Sequence, residues 1–319
     1  MYKMKILFIA PRYTGGIGGH AARIARKLKE RGFDVKLMHV PHIPIKNLKN
    51  PSFALLSTLK AKMDRENYDI VHAFNVPSTF AMRATKAKKK VLSVHGVYAD
   101  QVGKIHSTTT KKMVDVAEPK MLKWPDKITT DSKAVQKAYK EKLGFDFEYL
   151  PAPLDTLLFK DIPDVPKIEN QVVYIGRDSF EKGIDILQSI ETQIKGKVVY
   201  CTDVSWKDAM MTLRASSLLV VPSRMESIPQ VIKEAYYFKV PIVATNVGGI
   251  PEIITNNVTG VLVPPNEPKK LADTINEILE NKEFAKKLAD VGYDYLMKNF
   301  TCDVLMPKYV NFYENLLKN

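Results

Sequence analysis

The chain has 319 residues, of which 45% are hydrophobic and 26% are charged, an ordinary balance for a soluble globular protein. A single hydrophobic core stops growing at roughly 250–300 residues, so the length predicts two domains. No apolar run reaches the roughly 18 residues of a transmembrane helix, and two cysteines, Cys201 and Cys302, are too few for a disulfide framework. These properties exclude membrane-spanning and disulfide-stapled classes, and they favour a reducing cytoplasm.

The formal net charge is +13, and lysines cluster at 86–90 and at Lys111–Lys112. Two interpretations stay open: a solvated lysine-rich surface, or attraction to a nucleotide, an anionic acceptor or a phospholipid surface. In the last case we expect residues 83–123 to face the inner side of the membrane. Nucleic acid is disfavoured as a partner, because the basic residues are not interleaved with aromatics and form no recognition motif.

The first half of the chain alternates apolar runs with amphipathic segments. KILFIAP (5–11) predicts a strand buried on both faces and not a signal peptide. A glycine-rich turn, TGGIGGH (14–20), follows, and then a helix with Ala21, Ile24 and Leu28 on one face. Further strands are predicted at 34–40, 69–74, 90–96 and 127–132.

The pattern restarts after about residue 155. We predict strands at 171–176, 197–202, 217–223, 240–245 and 260–265, and a helix with Ile184, Leu187, Ile190 and Ile194 on one side. Further helices are predicted at 206–215, 229–238, 251–255, 268–280, 282–298 and 303–318. This alternation predicts an α/β fold of two Rossmann-like domains facing a cleft. The first would span 1–160, joined by the helix 303–318, and the second 165–300.

Three groups of residues follow strands at positions suited to binding an anion. Gly15 and Gly16 lie between a strand and a helix N-terminus, where glycine allows close backbone approach; the alternative is a flexible turn. Arg177 and Lys182 follow the strand at 171–176 and together could clamp a diphosphate; the alternative is two surface cations. His95 ends a predicted strand, where it is either structural or a hydrogen-bond donor.

Two acids eight positions apart, Glu226 and Glu234, flank the start of the helix at 229–238. Pro229 suits a first helical turn, Ser227 is a candidate cap, and the N–H groups of residues 228–230 would face an anion. A carboxylate accepts two hydrogen bonds from a vicinal diol, so Glu234 could hold a ribose. The alternative is an ordinary surface glutamate on a helix.

Six motifs together resemble those of a GT-B glycosyltransferase of family 4, the retaining group 1 type, over nearly the whole chain. They are GGIGGH after the first strand, SVHG (93–96), YIGRDSFEKGIDIL (174–187), PSRMESIPQVIKEA (222–235), VGGIPEII (247–254) and TGVLVPP (259–265). The resemblance also shows a gap: the strand, Gly-Asp-Gly turn and helix that the family has before the strand at 197–202 are missing. The second domain is therefore expected to be trimmed.

The resemblance implies a role for each candidate residue. The donor diphosphate would be bound by Arg177 and Lys182, the ribose by Glu234, and the transferred sugar by Glu226. The loop at Gly15 and Gly16 would contact the sugar or the phosphate, and His95 would donate a hydrogen bond to one of them. The remaining donor-binding residues are those at the helix start: Ser227, Ile228, Pro229 and Gln230.

The function that the resemblance implies is retaining transfer of a hexosyl group from a UDP- or GDP-linked sugar to a hydroxyl of a glycan, lipid or small-molecule acceptor. No Asp-x-Asp motif is present in the sequence, so we expect neither a metal nor another cofactor, with Arg177 and Lys182 supplying the positive charge. The alternative is a non-catalytic GT-B adaptor that binds a nucleotide sugar or docks to a membrane or a partner enzyme.

Overall fold

The computed structural model describes residues 3–12, 16–41, 43, 45, 48–96 and 108–318, with residues 108–113 described as backbone only. The chain divides into two units, one of Met1–Ala152 with Leu305–Asn319 and the other of Pro153–Val304. Each unit is built on a parallel β-sheet with intervening helices. The predicted α/β class is therefore confirmed.

The first unit contains a parallel sheet of six strands in the order β2-β1-β3-β4-β5-β6. Their bounds are β1 Lys5–Pro11, β2 Asp34–Val40, β3 Tyr68–Phe74, β4 Ala87–Ser93, β5 Lys127–Thr130 and β6 Glu148–Tyr149. The strand order reverses between β1 and β3. In an open parallel sheet, ligands bind beyond the carboxyl ends of the strands at such a reversal.

The second unit contains a parallel sheet of five strands in the order β11-β10-β9-β7-β8. Their bounds are β7 Gln171–Ile175, β8 Lys197–Cys201, β9 Leu218–Val221, β10 Ile242–Thr245 and β11 Val261–Val263. Here the order reverses between β7 and β9. The sequence after these two strands contains most of the predicted site residues.

Helices connect the strands of both units. Among the described residues they are α1 Gly16–Glu30, α2 Lys49–Met63, α3 Thr79–Ala84, α4 Thr108–Met121, α5 Lys133–Leu143, α6 Ile184–Ser189, α7 Trp206–Ala215, α8 Gln230–Tyr237, α9 Ile250–Ile253, α10 Pro268–Glu280, α11 Lys282–Asn299 and α12 Cys302–Lys318. Within the described ranges, none of these helices has both the length and the apolar character needed to cross a bilayer.

A buried chain of hydrogen bonds attaches α12 to the first sheet. The imidazole of His72, on β3, contacts the Tyr313 hydroxyl through Nδ1 and the Ser93 hydroxyl through Nε2, each at 2.7 Å. Ser93 in turn contacts Thr129 on β5, with 2.7 Å between the two hydroxyl oxygens. Polar side chains on three strands therefore stabilise the docking of the C-terminal helix on the first unit.

The structure differs from the predictions at several boundaries. The helix predicted to run through Ile194 ends at Ser189, and a 3₁₀ turn, Glu191–Gln193, follows it. Ile190 and Ile194 are nevertheless buried, so the apolar residues that suggested a longer helix reach the core without a continuous helix. The strand predicted at 90–96 lies at Ala87–Ser93, which leaves His95 just beyond it. Helices α2, α3, α4 and α5 and the two-residue strand β6 were not predicted.

Candidate functional site

Two loops meet at the carboxyl ends of β7 and β9, where the second sheet reverses its strand order. Lys182, from the loop after β7, contacts Glu226, from the loop after β9, through its ammonium group. The Ser223 hydroxyl donates a second hydrogen bond to the same Oε1 of Glu226 at 3.1 Å. The Lys182 side chain is 24% exposed and that of Glu226 is 9% exposed, so the cation of this pair is the more accessible partner.

Arg224 holds these two loops together. Its guanidinium donates to both carboxylate oxygens of Asp185 at 2.7 Å and lies over the Phe180 ring, 4.2 Å from the centroid. The Arg224 guanidinium holds the pKa of the Asp185 carboxyl below its usual range. Sequence reasoning missed this residue, although it lies in the motif PSRMES. Its bidentate geometry fixes the loop that carries Lys182 against the loop that carries Glu226.

Glycines allow the backbones of these loops to approach one another closely. At Gly183, whose φ is +66°, a Cβ would lie 2.0 Å from the Pro222 carbonyl oxygen. At Gly248, whose φ is +55°, a Cβ would lie 1.9 Å from the Glu226 carbonyl oxygen. A side chain at either position would therefore displace the backbone next to Lys182 or Glu226.

Arg177 extends from the same loop as Lys182 but contacts a different carboxylate. Its Nη2 lies 3.5 Å from Glu181 Oε1, and its side chain is 67% exposed. The backbone beneath it is fixed, because the Tyr174 hydroxyl donates to the Arg177 carbonyl at 2.8 Å. The Ser179 hydroxyl oxygen, between Arg177 and Lys182, is buried and has no hydrogen-bond partner among the described residues.

Helix α8 begins at Gln230 with Pro229 as its N-cap residue, and no side chain caps it. The prediction that Ser227 caps this helix is therefore wrong, because the helix starts three residues later. Of residues 228–230, only Ile228 and Gln230 can offer an N–H group, because proline has none. The Gln230 Oε1 is buried without a hydrogen-bond partner in the described part of the chain, so a buried polar atom lies at this helix start.

Glu234, in the middle of α8, accepts a hydrogen bond from an indole. Trp206 Nε1, at the first residue of α7, donates to Glu234 Oε1 at 3.1 Å. Trp206 in turn packs near Phe159, with 5.4 Å between ring centroids, and Phe159 stacks on Tyr237 at 4.4 Å. Trp206 was not identified from the sequence. It restricts the orientation of the carboxylate that was expected to hold a ribose.

The remaining predicted site residues belong to the first unit. Gly15 lies outside the described residues, while Gly16 begins α1 with a φ of +54°. His95 follows β4, and its Nδ1 lies 3.2 Å from the Asp131 carboxylate, which follows β5. The His20 ring packs edge-on to His95, with 5.3 Å between centroids. His95 Nε2 is buried and has no hydrogen-bond partner among the described residues.

Within the described residues, no three His, Cys, Asp or Glu side chains are grouped so that they could hold a metal ion. The lysine cluster at 86–90 lies at the start of β4, at the opposite edge of the sheet from His95. There Lys88 pairs with the buried Asp69 at 2.9 Å, and nearby Lys5 pairs with Glu66 at 2.5 Å. Lys88 and Lys5 therefore form ion pairs at the amino ends of the strands of the first sheet.

Comparison with known proteins gives matches over both units. The Glycosyltransferase Family 4 model matches residues 14–156, and the Glycosyl transferases group 1 model matches residues 158–295. N-acetyl-alpha-D-glucosaminyl L-malate synthase of Bacillus anthracis is 21% identical over 99% of this chain and 98% of its own length.

Solved structures show the same fold. Sucrose-phosphate synthase of Thermosynechococcus elongatus superposes with a TM-score of 0.84 at 17% identity, over 99% of this chain and 100% of its own. HepE of Anabaena in complex with UDP-glucose superposes with a TM-score of 0.71 at 17% identity, over 98% and 100% of the two chains. The predicted GT-B fold is confirmed. With adjoining family matches across both units, the chain belongs to the group 1, family 4 glycosyltransferases.

Proposed function

We propose that this glycosyltransferase takes a hexosyl group from a UDP- or GDP-linked sugar and transfers it, with retention, to a hydroxyl of a glycan, lipid or small-molecule acceptor. The observation that carries the proposal is the contact of Lys182 with Glu226 at the point where the second sheet reverses its strand order. This is where an open parallel sheet binds its ligand. The bound UDP-glucose of HepE, a protein of the same fold, supports this class of donor.

Lys182 supplies the positive charge for the donor diphosphate in this proposal. An ammonium group has three N–H donors, so Lys182 keeps its contact with Glu226 and still donates to a phosphate oxygen. Arg177, exposed in the same loop, adds a second cation and a planar fork suited to phosphate. The loop is already fixed by Arg224 and Asp185, so little reorganisation is needed when negative charge develops on the leaving group.

The proposed reaction needs no divalent ion. The bond between the sugar C1 and the diphosphate oxygen breaks, and that oxygen keeps the electron pair. The acceptor hydroxyl attacks from the same face, and its proton passes to the leaving phosphate. Arg177 and Lys182 stabilise the growing phosphate charge, while the Glu226 carboxylate lies close to the positive charge that develops on the sugar.

Glu234 binds the ribose of the nucleotide in this proposal. Its carboxylate has enough acceptor positions for a vicinal diol together with the indole of Trp206. The buried Gln230 Oε1 and Ser179 Oγ, which have no partners among the described residues, are further polar atoms for the donor to satisfy. The five-stranded second unit is consistent with the trimmed domain that the sequence indicated.

Nucleotide binding tests the proposal directly. UDP, GDP, UMP and GMP are compared by calorimetry and by the shift of the melting temperature; a ligand at 100 times its Kd adds about 2.7 kcal/mol to the free energy of unfolding. We expect the diphosphates to bind more tightly than the monophosphates, and Lys182→Ala to remove most of that difference. Lys195→Ala is the matched control, because Lys195 is an exposed lysine paired with Glu280 in the same unit.

Kinetics then separates the roles of the residues. We expect Glu234→Ala to weaken binding of every nucleotide, and Arg177→Ala mainly to lower kcat. If no nucleotide binds, or if both variants have unchanged kinetics, the donor site is assigned wrongly. The alternative, a non-catalytic adaptor, predicts that the donor binds but is neither transferred nor hydrolysed. A library of UDP- and GDP-sugars with mass-spectrometric detection of products decides between the two.

A further inference from the structure

Helix α2 presents an apolar side to solvent. Its buried side carries Phe53 and Ala61, but three large apolar residues spaced four apart lie on the outer side. These are Leu55, Leu59 and Met63, which are 62%, 50% and 81% exposed. With the neighbouring exposed residues they form what we call the α2 apolar surface: Ile45, Leu48, Leu55, Leu56, Leu59 and Met63. A continuous exposed apolar surface usually marks an interaction site.

The charged residues in the segment that carries this surface are all lysines. Residues 41–63 contain the lysines Lys46, Lys49, Lys60 and Lys62 and no aspartate or glutamate. Lys60 and Lys62 are exposed beside Leu59 and Met63. The first acids beyond the helix, Asp64 and Glu66, pair with Lys36 at 2.9 and 3.0 Å, so their charges are compensated.

The sequence had suggested a different membrane-facing region, at residues 83–123. In the structure, the ammonium group of Lys88 pairs with Asp69 and that of Lys90 donates to the Arg83 carbonyl at 3.0 Å. Among the described side chains of that region, Val116 is the exposed large apolar residue. Among the side chains that the structure describes in residues 83–123, less large apolar surface is therefore exposed than on α2.

We propose that the α2 apolar surface docks on the surface of a bilayer containing anionic lipids. An interfacial helix places apolar side chains at the boundary between headgroups and acyl chains, while lysines beside them contact anionic headgroups. A second copy of the chain is a poorer fit, because a two-fold contact would bring the same lysines of both copies together without acids to pair them. This proposal goes beyond the glycosyl transfer proposed above and does not depend on the identity of the donor.

Vesicle sedimentation with the full chain and no nucleotide tests the docking. We expect binding to vesicles of phosphatidylcholine with phosphatidylglycerol, weaker binding to phosphatidylcholine alone, and a loss of affinity as salt is raised. The triple variant Leu55→Gln, Leu59→Gln, Met63→Gln should bind at least about tenfold more weakly. Its matched control changes three exposed apolar residues of the second unit: Leu157→Gln, Ile168→Gln, Val258→Gln.

Removing the charges of two lysines on α2 gives an independent test of vesicle binding. Lys60→Gln with Lys62→Gln should lower the affinity for anionic vesicles by about fivefold for each lysine, with little effect on binding to phosphatidylcholine alone. Equal vesicle binding by the wild type and the triple variant would overturn the proposal, and so would preference for neutral vesicles. Light scattering that showed a dimer of the wild type and a monomer of the triple variant would assign the surface to self-association instead. Nucleotide binding, measured separately, should stay unchanged in all these variants.

Discussion

The indole Nε1 of Trp206 donates a hydrogen bond to Oε1 of Glu234 at 3.1 Å, linking the first residue of α7 to the middle of α8. If Glu234 holds the ribose, Trp206 orients its carboxylate. We predict that Trp206→Phe, which keeps an aromatic ring but removes the N–H, weakens UDP or GDP binding by about three- to tenfold, because a hydrogen bond to a charged group is lost. Titration calorimetry measures the change.

Two comparisons make this prediction specific. Trp124→Phe changes the other tryptophan of the chain, in the first unit, and should leave nucleotide affinity unchanged. A dideoxy nucleotide without the ribose diol should bind weakly to the wild type and lose little more in Trp206→Phe. If Trp206→Phe weakens the binding of the ordinary nucleotide and of the dideoxy nucleotide by the same factor, the indole acts on something other than the orientation of Glu234.

Gly183 allows the loop with Lys182 to approach the loop after β9. We predict that Gly183→Ala destabilises the second unit by at least about 2 kcal/mol, because alanine is strained at positive φ and its Cβ would lie 2.0 Å from the Pro222 carbonyl oxygen. Urea denaturation measures the change. The variant should also lose nucleotide affinity, because displacing this backbone would separate Lys182 from Glu226.

Gly144→Ala is the control that measures the cost of the left-handed backbone conformation without a close contact of the Cβ. Gly144 also has a positive φ, +72°, but a Cβ there would meet nothing within 4 Å. Its replacement should cost about 1 kcal/mol in the first unit, the usual cost of a left-handed alanine. Equal losses in the two variants would show that the close contact with Pro222 contributes nothing.

The sequence predicted the strands well, because buried parallel strands appear as continuous apolar runs. The predicted bounds of β1 and β2 match the structure, and those of β7 and β8 differ by one residue. Helix α2 was not predicted, because apolar residues lie on its outer side as well as on its buried side. They obscure the helical period that a half-buried helix normally shows. The residues that made α2 hard to predict are the ones that indicate a binding surface.

Of the residues at the candidate site, the sequence predicted only some of those that belong to local motifs. Lys182 and Glu226 were expected in the same site, and the structure places them in contact. Trp206, Arg224 and Asp131 were missed, because each acts through a partner that follows a different strand or lies on another helix. No local pattern encodes such a contact, and it becomes visible only when the topology brings the strand ends together.

His72 predicts how the stability of the first unit depends on pH. Burial lowers the pKa of His72 to about 3, from an ordinary value near 6.5 in an unfolded chain. Between these values the unfolded chain binds a proton that the folded chain does not, so stability falls as pH falls below about 6.5. We expect this residue to account for about 2 kcal/mol of lost stability between pH 7 and pH 5.

The measurement compares the wild type with His72→Gln at a series of pH values. The variant loses contacts to Tyr313 and Ser93, so it should be less stable throughout, but its free energy of unfolding should change less between pH 7 and pH 5. Trp124 fluorescence in a Trp206→Phe background reports on the first unit alone. Parallel pH profiles of the two proteins would contradict a buried neutral His72.

His95 and Asp131 give the last prediction. The Nδ1 of His95 lies 3.2 Å from the Asp131 carboxylate, which can only accept, so Nδ1 donates to it. In the tautomer of the imidazole that has its single proton on Nδ1, the lone pair is on Nε2. Nε2 would then accept a hydrogen bond from a sugar hydroxyl, whereas the sequence had suggested a donor. We predict that Asp131→Asn, whose amide can donate to Nδ1 and so reverse the tautomer, lowers kcat by about 10- to 100-fold and changes the donor KM little.

A spectroscopic measurement separates this role from a purely structural one. Nitrogen chemical shifts of His95 should show the proton on Nδ1 in the wild type and a shift of the population towards Nε2 in Asp131→Asn. Asp146→Asn, which changes an exposed acid paired with Lys140 in the same unit, should leave both the tautomer and kcat unchanged. If the tautomer is the same in the wild type and in Asp131→Asn while kcat falls, Asp131 does not act through His95. If the tautomer reverses and kcat does not fall, the transfer does not depend on an acceptor at His95 Nε2.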